Sequence, residues 1–457
     1  MLPTTVTDYL EKHRTQHLER LEELLRIPSI ANVDDGACAR AAEWLARRLE
    51  SLGLRAELAG PAGRPNVLAE AHVRDDAPTL LIYGHYDVQP PDPLALWQTG
   101  PFDPVVRDGC LFARGSDDNK GQLFAQLMAI EAWTRAGGGP PVNLKVFLEG
   151  EEEIGSPSLE AFVAAHAERL AADAAVISDS GFFARGTASI TYALRGLVYF
   201  EITARGPAAD VHSGQHGGAL ANPINVLARL VAAMHDENGR ITLPGFYDDV
   251  LEVGEQERRA WAVLPFDEGD YARSLGVDAL SGGERGFSVL ERRWARPTLD
   301  ANGVVGGYTA AGSKTIIPAE ARVKISARLV ADQDPDKVAA GMAEFLAAHA
   351  PAGTSVSLQV HAKARPVLLP TDSPAMTAAK AALAEAFGQE PTLVRCGASV
   401  PVTELIQRLL GMDPVLMGFG LPDDNVHSPN EKFDLDQLWR GSIAAAAFLH
   451  NLRSALP

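Results

Sequence analysis

The stretch LLIYGHYDVQPP, residues 80–91, joins an apolar run to a glycine, a histidine and, two residues beyond the histidine, an aspartate. Leu80 to Tyr83 reads as a buried strand, and such strands usually run out into bland turn residues. This one runs into His85 and Asp87, so its end is where chemistry is expected.

The same pattern recurs along the chain. Glu149, Glu151, Glu152 and Glu153 follow the run VNLKVFL, Asp179 follows AAVIS, and His427 comes a short loop after PVLMGFG. Asp118, in RGSDDNKG, sits where the chain enters a helical stretch. Strand-like runs at 66–71, 79–83, 142–148 and 174–177 alternate with helical runs at 8–26, 38–52, 120–135 and 158–172, the pattern of a mostly parallel sheet with helices on both faces. In such a sheet the carboxyl ends of the strands face one crevice, so residues scattered in sequence converge in space. One shared site is the simplest expectation.

The texture changes near residue 188. The alternating run SITYALRGLVYFEITARG leads to a helix near 222–235. After an irregular insertion come strands at 304–308 and 321–329, a helix at 335–348 and a strand at 355–361. That order, βαββαβ, predicts a ferredoxin-like α+β domain. From about residue 366 the first texture returns, with helices at 373–387 and 434–453 and a short strand at 415–418. The expected organisation is a catalytic domain in two segments, 1–187 and 366–457, interrupted by an inserted domain at 188–365.

Composition narrows the function. A chain of 457 residues, 46% hydrophobic, can bury two cores. Its 59 acidic residues against 41 basic ones give a formal charge of −18, which repels nucleic acid and anionic membranes. Three widely spaced cysteines suggest neither a disulfide framework nor a thiolate metal site, and fit a reducing cytoplasm. Residues 1–30 have mixed charge and a helical period, without the apolar core of a secretory signal, and no segment reaches membrane-spanning length.

The residue types at the strand ends point to metal. Clustered carboxylates repel one another unless a cation lies among them. Two imidazoles with three carboxylates and no thiolate suit Zn²⁺, Mn²⁺ or Co²⁺. A carboxylate can bridge two ions with its two oxygens, as in two-metal hydrolases, and Asp118 is the candidate bridge.

GHYDVQP, RGSDDNKG, EGEEEIGS, VISDS, ADVHSGQHGG and NVHSPNEKF, in this order, resemble the M20 metallopeptidases, in particular the dipeptidase branch of cytosolic nonspecific and carnosine dipeptidases. LRIPSI and GSKTIIPAEARVKISARLV extend the resemblance over essentially the whole chain. It implies that His85 and Asp179 hold one metal, that Glu153 and His427 hold the other, and that Asp118 bridges them, with a cis peptide to Asn119. It further implies that Glu152 takes a proton from a metal-bridging water and passes it to the leaving amine, and that Asp87 orients His85. His212 would reach across a homodimer interface made by the inserted domain and stabilise the oxyanion in the partner's site. Arg328 would grip the substrate's terminal carboxylate, with Thr315 and Ser399 as further contacts.

Three residues depart from the family pattern: Glu151 stands where relatives often have methionine, His216 where tyrosine is frequent, and Cys396 where the eukaryotic dipeptidases carry glutamate. The expected activity is hydrolysis of dipeptides or very short peptides with two divalent ions per subunit. The competing expectations are an N-acyl-amino-acid deacylase or carboxypeptidase, and a non-catalytic metal-binding scaffold.

Overall fold

The computed structural model describes residues 1–398 and 400–456. The chain divides into two compact units, Met1–Tyr192 with Leu369–Val394 and Pro401–Pro457, and Ala193–Leu368 with Arg395–Val400.

The first unit is built on a mixed sheet. Its four central strands, in the order Asn143–Glu149, Thr79–His85, Ala174–Ile177 and Pro414–Leu416, are parallel. The parallel character expected of the sheet holds for this centre. Outside it, Asn66–Ala71 pairs antiparallel with Asn143–Glu149, Arg55–Ala59 pairs antiparallel with Asn66–Ala71, and Ser189–Leu194 meets Pro414–Leu416 antiparallel. Leu80, Leu81, Ile82 and Tyr83 are all buried, as befits a strand covered on both faces.

Parallel pairing in register sets His85 directly opposite Glu149 at the ends of adjacent strands. Glycine at position 84 has a local reason: a Cβ there would lie 3.0 Å from Asn119 Oδ1 and 3.3 Å from Leu123 Cδ1. The missing side chain lets the start of the Lys120–Ala136 helix approach the strand. Gly121 serves a second close approach, since a Cβ there would fall 1.8 Å from the Ser116 carbonyl oxygen.

The Lys120–Ala136 helix is buried from Lys120 to Trp133, which makes it a core element. It is tied down at two points. At the start, the buried Lys120 Nζ donates to the carbonyls of Leu24 and Ile27, at 3.2 and 2.7 Å. Burial lowers the Lys120 amine to about 7. Further along, the buried Glu131 accepts from Arg20 at 3.0 and 3.1 Å, from His17 at 3.1 Å, from Tyr9 at 3.2 Å, and also from Arg48.

Tyr9, His17, Arg20 and Leu24 come from two helices, Thr4–Lys12 and Arg14–Leu25, where the sequence pattern suggests one, and Arg48 comes from the helix Ala37–Ser51. His13 makes the break: its ring stacks on Tyr9 with centroids 3.9 Å apart, and its Nδ1 lies 2.8 Å from the Tyr9 carbonyl. A side chain bonding its own backbone in this way competes with helix continuation. The helical run at 158–172 is likewise broken, at His166.

The second unit carries a four-stranded antiparallel sheet in the order Thr298–Gly306, Glu320–Leu329, Gly196–Arg205, Ser355–Ala364. Inward residues of its strands, among them Phe200, Ile202, Val323 and Ile325, share one core with Val226 and Leu230 of the Pro223–Ala233 helix and with Met342 and Phe345 of the Pro335–His349 helix. Both helices therefore cover the same face, as a βαββαβ order requires. The irregular insertion contains three short helices, Glu255–Ala262, Glu268–Ser274 and Val289–Trp294, the last opened by a Ser288–Glu291 capping box.

Burial by itself would raise the Glu131 carboxyl, but the hydrogen bond from His17 and the charge of Arg48 outweigh it and hold it well below the usual range. A depressed carboxyl contributes stability that is complete above its ordinary value near 4.3 and is lost as the pH falls below it. Glu131→Gln should cost about 3 kcal/mol by urea unfolding at pH 7, the penalty for stranding buried cations. The variant should also lose less further stability than the parent between pH 5 and pH 3.

Candidate metal centre

Four side chains converge from the carboxyl ends of the parallel strands: His85 ends one strand, Glu153 follows another, Asp179 follows a third and His427 comes after the fourth. Asp118 joins them from the loop leading into the Lys120–Ala136 helix. The two oxygens of Asp118 face different imidazoles. Oδ1 lies 3.0 Å from His85 Nε2 and Oδ2 lies 2.8 Å from His427 Nε2. His85 Nε2 is also 3.8 Å from Asp179 Oδ1, and His427 Nε2 is 3.2 Å from Glu153 Oε2.

Two trios able to hold a metal ion result, His85–Asp118–Asp179 and Asp118–Glu153–His427. Within each trio the ligand atoms lie within 4.8 Å of one another. Asp118 is common to both.

Backbone and neighbouring side chains fix these groups. His85 Nδ1 lies 3.1 Å from the Asp87 carbonyl oxygen, which sets the ring so that Nε2 faces the cluster. The Asp87 carboxylate chiefly serves a different segment. Its two oxygens accept the N–H groups of Glu152 and Glu153, at 3.2 and 2.9 Å, while its Oδ1 stands 3.5 Å from His85 Nδ1. It thereby moors the glutamate turn to the His85 strand.

Asn119 precedes the helix but makes no capping bond. Its amide donates instead to the Ser178 carbonyl at 2.5 Å and to Asp179 Oδ1 at 3.1 Å, and its oxygen accepts from His85 N–H at 3.3 Å. The Asp118–Asn119 peptide is cis. Gln89 donates to Glu153 Oε2 at 2.8 Å. Glu151, one of the three departures from the family pattern, is buried and neutralised by Arg64 Nε at 3.0 Å, with Ser158 Oγ donating at 2.5 Å.

Electrostatics shows what the cluster wants. Two carboxylates about 4 Å apart repel by about 4 kcal/mol at an effective dielectric near 20. Among the described residues, no lysine or arginine pairs with Asp118, Glu153 or Asp179; their ionic partners are the two imidazoles. Glu153 Oε1 is buried without any partner. Hard and borderline donors, an orphaned oxygen and uncompensated charge together fit a pair of divalent cations.

The same carboxylates act on the two imidazoles. For His85, burial alone would lower its value, but hydrogen bonds to Asp118, Asp179 and Asp87 raise it well above the ordinary range. Asp118 and Glu153 push His427 up to about 10. Glu152 stands apart: its carboxylate has no hydrogen-bond partner among the described residues, and burial, reinforced by the charges of Asp179, Glu153 and Asp118, raises it to about 8.

The remaining candidates belong to the second unit. His212 is exposed in the short Val211–His212 strand, and its Nδ1 accepts the Gly214 N–H at 2.9 Å, which leaves the ring proton on Nε2. The Thr315 carbonyl accepts Ser213 N–H at 3.0 Å, so Thr315 lies beside the His212 segment. Arg328 is half-buried on Glu320–Leu329, flanked by Leu197 and Thr298. His216 is exposed. Ser399 lies outside the described residues.

An imidazole–carboxylate centre with a shared aspartate at the crevice of a parallel sheet defines a metallohydrolase of the two-domain α/β type. A model described as peptidase family M20/M25/M40 matches residues 81–451. The chain is 32% identical over 475 positions to the Cys-Gly metallodipeptidase dug1 of Schizosaccharomyces pombe, covering 98% of this chain and 98% of that protein. Two solved structures share the fold. The di-peptidase Dug1p from Saccharomyces cerevisiae aligns with TM-score 0.83 and 28% identity over 99% of each chain. The metallo-carboxypeptidase Sso-CP2 from Sulfolobus solfataricus aligns with TM-score 0.86 and 33% identity, over 96% of this chain and 99% of that one. The chain belongs to peptidase family M20/M25/M40 and is a metal-dependent peptidase.

Cations taken up by the two trios would displace protons from His85 and His427. Titration of the metal-free protein with Co²⁺ at pH 7, in buffers of different ionisation enthalpy, should show between one and two protons released, with affinity rising from pH 6 to pH 8. Raised imidazole and Glu152 values also mean that the native state holds the extra protons, so metal-free stability is lost as the pH climbs from 7 to 10. Thermal unfolding across that range checks the sign.

Proposed function

We propose that this chain is a dipeptidase that works with two divalent cations, zinc being the best match to the donor set. His85, Asp118 and Asp179 would hold one, and Asp118, Glu153 and His427 the other. The observation that carries the reading is the division of Asp118, one oxygen toward each imidazole. Such ions, when bound, supply Lewis acidity to the scissile carbonyl and acidity to the attacking water.

The chain's own residues do the rest. Glu152, the carboxylate of the cluster with no hydrogen-bond partner among the described residues, takes the proton of the attacking water and returns it to the leaving amine. A carboxylate left free of hydrogen bonds by the described residues suits a group that must do both. Asp87 holds Glu152 in place through its backbone N–H.

The second unit acts as lid and dimerisation module. There the His212 Nε2–H is free to donate to an oxyanion in the site of a second copy, and Arg328 pairs with the substrate's terminal carboxylate. Three free cysteines accord with a reducing cytoplasm. Likeness to a Cys-Gly metallodipeptidase supports a dipeptide substrate, and likeness to a metallo-carboxypeptidase defines the rival.

A panel of Ala-Ala, Cys-Gly, Ala-Ala-Ala and N-acetyl-alanine separates these. Dipeptides should be cleaved with kcat/KM at least about tenfold above the others; preference for the tripeptide would establish action on longer peptides in place of dipeptidase action, and preference for the acetylated substrate a deacylase. Glu152→Gln should lower kcat by about 10²–10⁴-fold with metal content unchanged. A fully active variant would remove Glu152 from the chemistry.

A further inference from the structure

Glu431 lies four residues beyond His427 and is fully buried. Both of its oxygens are saturated by donors from a single distant loop. Oε2 accepts Arg114 Nη1 at 2.7 Å and Gly115 N–H at 3.0 Å; Oε1 accepts the N–H groups of Asp117 at 3.0 Å and Asp118 at 3.1 Å. Its backbone carbonyl accepts Ala113 N–H at 3.2 Å. One residue thus fastens the segment bearing His427 to the segment bearing Asp118.

The His427 segment needs outside restraint. Asn425, His427 and Asn430 all have positive φ, at 57°, 61° and 61°, a region that side-chain-bearing residues seldom occupy. Asn430 supplies part of the restraint by bridging Leu96 and Gln98 of a neighbouring loop, each at 2.8 Å. Glu431 supplies the part that bears on the cluster, because one amide it grips belongs to Asp118 itself.

We propose that Glu431 is the positioning residue of the cation centre, setting Asp118 against His427 so that one carboxylate serves both cation positions. The inference rests on the dinuclear reading above. Its consequence is specific. Loosening an outer ligand such as Asp179 weakens one position, whereas loosening Glu431 weakens both together, because Asp118 belongs to both trios. A residue that merely neutralised the buried Arg114 would affect global stability and leave the two positions alone.

Glu431→Gln keeps the shape but turns an amide N–H₂ against backbone N–H donors. Amide exchange followed by mass spectrometry should show Asp117 and Asp118 exchanging at least about tenfold faster, with the Ala174–Ile177 strand unchanged. Equilibrium dialysis with Co²⁺ should show both positions weakened together, by about 10–100-fold, the range for residues that support metal ligands. If this variant does not fold, Glu431→Asp, one methylene shorter, carries the same readouts. Arg114→Lys, which keeps the charge and the three backbone N–H contacts, should bind cobalt nearly as well as the parent. A parent that binds two cobalt ions, with a Glu431→Gln variant binding them equally tightly, overturns this proposal alone. A parent that takes up no cobalt overturns the dinuclear reading and this proposal with it.

Discussion

The structure turns on the crowding of negative charge at one end of a parallel sheet. Asp118, Glu153 and Asp179 lie within reach of common centres, with Glu152 close behind, and among the described residues two imidazoles are their ionic partners. Placing these groups together runs against folding unless cations or protons offset the repulsion. The carboxylates raise both imidazoles, and burial together with the neighbouring charges raises Glu152. Divalent cations held by the two trios would offset the same repulsion.

What surrounds the cluster is organised to tolerate this charge. Asp87 grips the N–H groups of the glutamate turn, Glu431 those of the Asp118 loop, and Asn119 gives up its capping bond to hold Asp179 and His85. Each is a buried polar group whose partners are backbone amides or fixed side chains, so its own burial is offset locally. Behind them the Lys120–Ala136 helix is pinned at its start by Lys120 on the carbonyls of Leu24 and Ile27, and in its second half by Arg20 and Arg48 on Glu131. A rigid base under mutually repelling ligands keeps the repulsion from relaxing into a collapsed site.

Much of this was legible in the sequence, for a physical reason. A buried strand in a parallel sheet is apolar throughout, so polar residues at its carboxyl end stand out, and four such ends face one crevice. The split βαββαβ order was legible because strand and helix periods differ. Harder to read were the supports. The Asp87 carboxylate serves the glutamate turn 66 residues away and Glu431 serves Asp118 across 313, pairings that leave no periodic trace. The helix break at His13 was hidden because it comes from one ring bonding its own turn and stacking on Tyr9, a local competition that apolar spacing does not register. Glu131 falls inside the helical run at 120–135, and its partners Arg20, Arg48 and His17 lie 83 to 114 residues away in sequence.

The central claim is that one aspartate carboxylate is shared by two cations. Crystals of the protein grown with zinc and measured on both sides of the zinc absorption edge test it directly. Two anomalous peaks per chain, flanking the Asp118 carboxylate, one beside His85 and one beside His427, are the expected result. A single peak, or peaks that do not touch Asp118, would contradict it.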